Sequence, residues 1–207
     1  MRILVMILFG SLLLSSCGKK RTIYITATNP VTNQPYAGLE YRIVSSVSGA
    51  EDGEGTKTVA SGNLDANGEA VVELREKRRR RYVVRVFEPP NTCYNKSINM
   101  FFGSPSDENG HFNFEFAECA SLQRKVKNTS CFDTNDKIEI YIDNTVHSLL
   151  STPWTLNGCA DYTTVPSQVP IGHYTLHWIV TKNNISTDYY DSFDLVENET
   201  KFHEINY

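Results

Sequence analysis

The chain has 207 residues, 40% apolar and 21% charged, a composition that belongs to a folded protein and excludes a disordered one. Its formal net charge of −4 excludes a uniformly basic, nucleic-acid-binding surface. Eleven tyrosines and ten phenylalanines suit pleated, half-buried surfaces, so the composition leans toward β structure.

The first seventeen residues read MRILVMILFGSLLLSSC. One arginine precedes an apolar run from Ile3 to Leu14, and small residues follow, the pattern of a secretory signal peptide. The run is shorter than the roughly 20 residues that a permanent membrane helix needs. Leu14-Ser15-Ser16-Cys17 resembles the lipobox of bacterial lipoproteins. That resemblance implies cleavage after residue 16, with Cys17 carrying the lipid, and Gly18 after it leans toward the outer membrane. The alternative is an ordinary signal peptide cut nearby, with a free cysteine left over. Residues 17 to 21 then form a tether, in which Lys19, Lys20 and Arg21 either solubilise the chain or touch anionic headgroups. Loss of Arg2 with the leader leaves 19 basic against 24 acidic residues, a net charge of −5.

After the tether the chain reads as a succession of strands. Thr22 to Thr28 alternates with a period of two. Leu39, Tyr41 and Ile43 share one face, as do Ala70, Val72 and Leu74, then Tyr82, Val84 and Val86, and finally Phe112, Phe114 and Phe116. A short strand near Lys57 to Ser61 and another at Ile98 to Phe102 complete seven strands, a sandwich pattern. Asn33-Gln34-Pro35-Tyr36-Ala37-Gly38, Asp65-Ala66-Asn67-Gly68 and Tyr82-Val83-Val84-Arg85-Val86 together resemble the carboxypeptidase regulatory-like (transthyretin-like) β-sandwich. The resemblance covers about a third of the chain and departs from the family pattern at Asn33 and Tyr36. It implies a non-catalytic spacer, scaffold or adhesive module.

The expected domain spans residues 22–118, with Ala117 to Ala120 as linker, and a second follows at 121–207. In the second, Leu122 to Val126 opens the unit, and Lys137 to Asp143 places Ile138, Ile140 and Ile142 inward and Tyr141 outward. Thr152 to Gly158 reads as a loop around Trp154. Tyr174, Leu176, Trp178 and Val180 share a face, Asn183-Asn184 turns the chain, Thr187 to Val196 returns, and Lys201 to Tyr207 adds an edge strand. This resembles an immunoglobulin-like sandwich. The fold class expected is therefore all-β, with two small antiparallel sandwiches in tandem. Four cysteines remain after Cys17, and an oxidising compartment favours disulfides over a metal site without close Cys-x-x-Cys spacing. Of three pairings, the domain boundary favours Cys93–Cys119 and Cys131–Cys159.

No catalytic, phosphate-binding or metalloprotease motif occurs in the sequence, so a non-enzyme without cofactor or metal is expected. His173 and His177 would lie roughly 13 Å apart on a strand, too far to share an ion. Asp65 to Glu69 and Asp133 to Asp136 read as turns, since neither has the spaced carboxylates of a calcium loop. Two functions fit. One is a membrane-anchored structural or protein-interaction module of the envelope. The other is a glycan- or surface-binding protein using Trp154, Tyr189 and Tyr190, with Tyr162 nearby. The run Arg75 to Arg81 holds six basic residues in seven, and Arg78, Arg79, Arg80 and Arg81 are candidate contacts for an acidic partner. A solvated hairpin end that discourages edge-to-edge aggregation is the competing account.

Overall fold

The computed structural model describes residues 20–47, 55–77, 80–96, 100–102, 110–146 and 153–207. The segment expected as a signal peptide, Cys17, Arg78 and Arg79 lie outside the described residues. Every regular element among those described is a strand, which bears out the all-β reading. The chain folds as two compact units. Unit 1 draws its described residues from Met1–Ala27, Pro35–Phe87 and Ser97–Phe114, and unit 2 from Thr28–Gln34, Glu88–Lys96 and Glu115–Tyr207.

Unit 1 is a sandwich. Strand β1 (Lys20–Thr28) buries Ile23, Ile25 and Ala27 completely, the alternation that the sequence shows. It lies antiparallel to β4 (Glu69–Arg75), with Ile23 opposite Val72 and Ile25 opposite Ala70. Its other neighbour is the start of β8 (His111–Lys127). The second sheet has the order β3 (Lys57–Asn63), β2 (Glu40–Val47), β5 (Arg80–Val86), β7 (Met100–Phe102). Ile43, Tyr82 and Val84 are buried from that sheet, and Phe112 and Phe114 from β8. Burial of each such side chain contributes about 1.5–3 kcal/mol.

The turn at Asp65 is held by the Asp65 carboxylate, which accepts from the amides of Asn67 and Glu69, both at 2.9 Å. Gly68 alone in this turn takes a left-handed φ, 70°, and a Cβ there would stand 2.7 Å from the Ala27 carbonyl oxygen. The carboxylate is thus committed to the backbone, as the turn reading expects.

Three local expectations change. Lys20 and Arg21 are strand residues, not tether. Arg21 is buried and paired with Glu76 at 2.6 Å, a geometry that requires the chain to be folded around it. The basic run does not close a hairpin, because β4 pairs with β1 whereas β5 pairs with β2 and β7. Two strands flanking a polar run look alike whether they pair with each other or pass into opposite sheets. The third is the supposed linker Ala117 to Ala120, which lies inside the 17-residue β8, with Ala117, Cys119 and Ala120 buried. Small apolar residues mimic a linker in the sequence, but here they are buried within a strand.

Unit 2 is also a sandwich. In one sheet the rest of β8 pairs with β6 (Thr92–Asn95), β11 (Asp161–Thr163), β12 (Ser167–Pro170) and β15 (Thr200–Asn206). β15 runs parallel to β8, where an antiparallel edge strand was expected. The other sheet has the order β10 (Trp154–Asn157), β9 (Lys137–Asn144), β13 (Gly172–Lys182), β14 (Ile185–Leu195). Trp154 therefore opens a short strand rather than sitting in a loop. Leu122, Val126, Ile138, Ile140, Leu176 and Ile205 fill the core between the sheets. Asn183 and Asn184, with φ of 47° and 61°, form the two-residue turn expected between β13 and β14.

Both expected disulfides form, Cys93–Cys119 and Cys131–Cys159. Both lie in unit 2, since Glu88–Lys96 folds with that unit. The pairing was right, but the placement of one bond in each domain was not.

Candidate binding surface

The sheet β10-β9-β13-β14 has two chemically distinct faces, set by strand alternation. On the inner face one row crosses all four strands: Trp154, Ile140, Trp178 and Tyr189. Ile140 is buried, Trp154 and Trp178 are partly buried against the core, and Tyr189 stacks on Trp178 at 5.8 Å. Arg124 lies over the Trp154 ring at 5.3 Å, and Tyr162 meets the same ring edge-on at 5.4 Å. Burial holds the Arg124 guanidinium below its ordinary pKa.

On the outer face the next row is Tyr141, His177 and Tyr190. These rings form one ladder, Tyr141 to His177 at 5.4 Å and His177 to Tyr190 at 4.6 Å, with interplanar angles of 18° and 7°. A cavity of about 320 Å³ opens beside them, lined also by Asp143 and Thr175. Tyr190 is 73% exposed.

The expected glycan trio therefore does not assemble. Trp154 and Tyr189 lie on the inner face with Ile140 and Trp178 between them, and Tyr190 lies on the outer face. Adjacent tyrosines on a strand point to opposite sides, which separates Tyr189 from Tyr190. The ladder that does form needs the pairing register, which no short motif carries. Its one sequence signal is the outward phase of Tyr141 and His177.

Three histidines approach the aspartates of β14. His173 Nδ1 is 2.8 Å from Asp194 Oδ1, His177 Nε2 is 2.7 Å from Asp188 Oδ1, and His203 Nε2 is 3.5 Å from Asp191 Oδ2. Burial lowers the His203 pKa below its ordinary 6.5, and nearby Asp191 opposes that shift. His173 and His177 occupy the same face of β13 and serve different carboxylates, as the strand spacing expects. No group of three or more metal-ligating side chains occurs among the described residues.

Around Cys131–Cys159 the polar groups are bound inward. The amide of Phe132 donates to Asp136 Oδ2 at 2.8 Å, and Asn128 Nδ2 donates to the same oxygen at 2.9 Å. These bonds, the amide's first, hold the Asp136 carboxyl below its usual pKa. Lys182 Nζ donates to Asn128 Oδ1 and to the Ser130 carbonyl. Here too the residues around Asp133 form a turn, with the Asn135 amide donating to Asp133 Oδ1.

Of the basic run, Arg80 donates to Ser45 Oγ at 3.0 Å and Arg81 is exposed. The hydroxyl of Tyr82 accepts from the Lys77 amide at 2.7 Å, which ties the start of the run to unit 1.

No protein-family model matches this chain, and no curated protein matches it. Among solved structures it is similar to the shaft pilin SpaA from Lactobacillus rhamnosus GG, at 10% identity over 91% of this chain and 97% of that one, with a TM-score of 0.38. It is similar to the minor pilin of Streptococcus agalactiae at 9% identity over 90% and 94% of the two chains, with a TM-score of 0.35. The Bacillus anthracis TIE protein is similar at 17% identity over 91% of this chain and 34% of that one, with a TM-score of 0.36.

Proposed function

We propose that this chain is a non-catalytic protein of the cell envelope, lipid-anchored through Cys17 at the outer membrane, whose unit 2 is a protein-interaction module. The observation that carries the interaction reading is the outer face of β9, β13 and β14. Tyr141 and Tyr190 remain exposed there beside a cavity of about 320 Å³. An exposed aromatic group rimmed by polar side chains is the composition of an interface centre. The anchor rests on Leu14-Ser15-Ser16-Cys17 after the apolar run, and the outer-membrane address rests on Gly18.

Metabolic labelling with an alkyne fatty acid tests the anchor. Label on the wild type and none on Cys17→Ala supports it, and an unlabelled wild type overturns it. A photocrosslinker placed at Tyr190, and separately at exposed Val71 of unit 1, tests the module. One defined adduct from Tyr190 and none from Val71 supports the reading, and equal recovery from both refutes it.

A second reading, glycan binding, is supported by the same cavity, where Asp143 and Thr175 offer polar groups beside tyrosine rings. A glycan array distinguishes the two. The carboxypeptidase regulatory-like assignment of unit 1 belongs to this proposal as well, supported by the Asp65 to Gly68 turn. So does contact of Arg78 to Arg81 with an acidic partner, whose signature is loss of association as salt rises.

A further inference from the structure

Strand β14 is the edge of its sheet. It pairs with β13 over eleven consecutive residues without a register shift, and no other strand pairs with it among the described residues. From Ile185 to Tyr190 every residue is exposed. Natural edge strands are blunted by charged side chains, lysine above all, by proline, by bulges or by shortness. β14 is 11 residues long and contains no Lys, Arg or Pro, and its three charges are aspartates. Its side chains favour a paired strand, with Ile185 68% exposed and Tyr190 73% exposed.

Two features specify what would pair with it. The charges of β14 are Asp188, Asp191 and Asp194, all negative. On the outer face the row order along β14 is Asp188, Tyr190, Ser192, Asp194. The ring ladder Tyr141–His177–Tyr190 ends at the free edge, with steps of 5.4 and 4.6 Å. An added strand would lie about 4.8 Å beyond β14, so an aromatic side chain opposite Tyr190 continues the ladder at its own spacing. Opposite charges facing Asp188 and Asp194 add to the pairing, and like charges there oppose it. A second copy of β14 would bring six aspartates to one seam, and neither copy of the strand supplies a Lys or Arg to face them.

We propose that β14 is a strand-addition site, taking as a fifth strand an extended basic segment of a partner protein that carries an aromatic residue between Lys or Arg residues at alternate positions. Main-chain hydrogen bonds supply the affinity in this mode, and the alternate side chains supply the choice. The inference deepens the interaction-module reading of unit 2 and does not depend on the lipid anchor.

The test uses the full chain in detergent and a capped peptide, Lys-Thr-Tyr-Thr-Thr-Thr-Lys, in either orientation. Binding is read by fluorescence anisotropy, and amide protection by hydrogen exchange. The expected result is saturable binding with new protection confined to residues 185–195. Asp188→Asn and Asp194→Asn should each weaken binding by up to about fivefold, the scale of one cross-strand charge pair. A peptide N-methylated at alternate residues keeps its side chains but loses one hydrogen-bonding edge, and should not bind. Because these positions are exposed, hydrogen exchange in the free variants also reports whether unit 2 stays folded. Binding of the N-methylated peptide, protection elsewhere, or no binding at all overturns strand addition. Equal binding when both lysines are replaced by glutamate overturns the basic partner. Concentration-dependent protection of β14 without peptide assigns the edge to a second copy instead. Loss of fatty-acid labelling together with intact peptide binding would sink the anchor alone.

Discussion

Unit 1 and unit 2 are both β-sandwiches, yet they are held together differently. Unit 1 contains none of the four disulfide cysteines and relies on β1, which is buried on its core face along its length. Unit 2 carries both disulfides, and its longest edge strand is exposed over most of its length. Covalent closure restricts the unfolded chain, whereas a continuous apolar face stabilises the folded state directly. The bonded unit is therefore the one that keeps a strand free for other work.

The comparison breaks most severely at Phe114, fully buried in unit 1. Phe114→Ala should cost about 4 kcal/mol by the scale of large core truncations. Hydrogen exchange should show the loss in β1 and β4 while the disulfide-bonded unit keeps its protection. Equal loss in both units would mean that they unfold as one.

Replacing Cys131 and Cys159 together by serine should destabilise unit 2 by about 3.5 kcal/mol, the chain-entropy value for a loop of this length. Chemical denaturation monitored by Trp154 and Trp178, both in unit 2, would follow it. A reducing agent, which opens Cys93–Cys119 as well, should shift unit 2 further and leave unit 1 unchanged.

A smaller, pH-dependent difference follows from His203. Its folded pKa is lowered mainly by burial, so the unfolded chain takes up the proton first as pH falls. Stability from this group is complete above about 6.5 and is lost as pH falls from there toward the folded value. Unit 2 should weaken in that window more than unit 1 does, and His203→Gln should flatten the difference. A thermal midpoint measured from pH 8 to pH 5 checks the sign.

The smallest effects are expected on the surface. Tyr190→Ser, or Arg81→Ser, both at exposed positions, should move stability by no more than about 0.5 kcal/mol. Association should change nonetheless, with the arginine variant losing the salt-sensitive part. A large loss of thermal stability in either variant would assign those side chains to structure.

Much of the fold was legible because strand alternation is a local property. Ile23, Ile25, Val84, Phe114, Ile138, Ile140 and Leu176 are buried on the faces that their spacing indicates. The turns at Asp65 and at Asn183-Asn184 were legible for the same reason, since their backbone demands fall on the residues themselves. Cysteine parity indicated two disulfides, and the pairs are the expected ones, although the domain boundary that favoured them does not fall where the sequence suggested.

The candidate surface was less so. Tyr141, His177 and Tyr190 come from three strands, and only the register between those strands brings the rings into one ladder. Trp154 and Tyr189 looked like its members because sequence distance carries no information about which side of a sheet a strand presents to its neighbour.

The sequence by itself determined the all-β class and the buried face of each main strand. Both follow from hydrophobic periodicity and residue chemistry within a short window. The tertiary structure decided that β8 runs unbroken through the supposed linker, that β4 and β5 part into different sheets, and that β15 lies parallel to β8. It also decided that β14 stands at a sheet edge. Those are matters of which strands pair, and pairing is set by burial and hydrogen bonding between segments far apart in the chain.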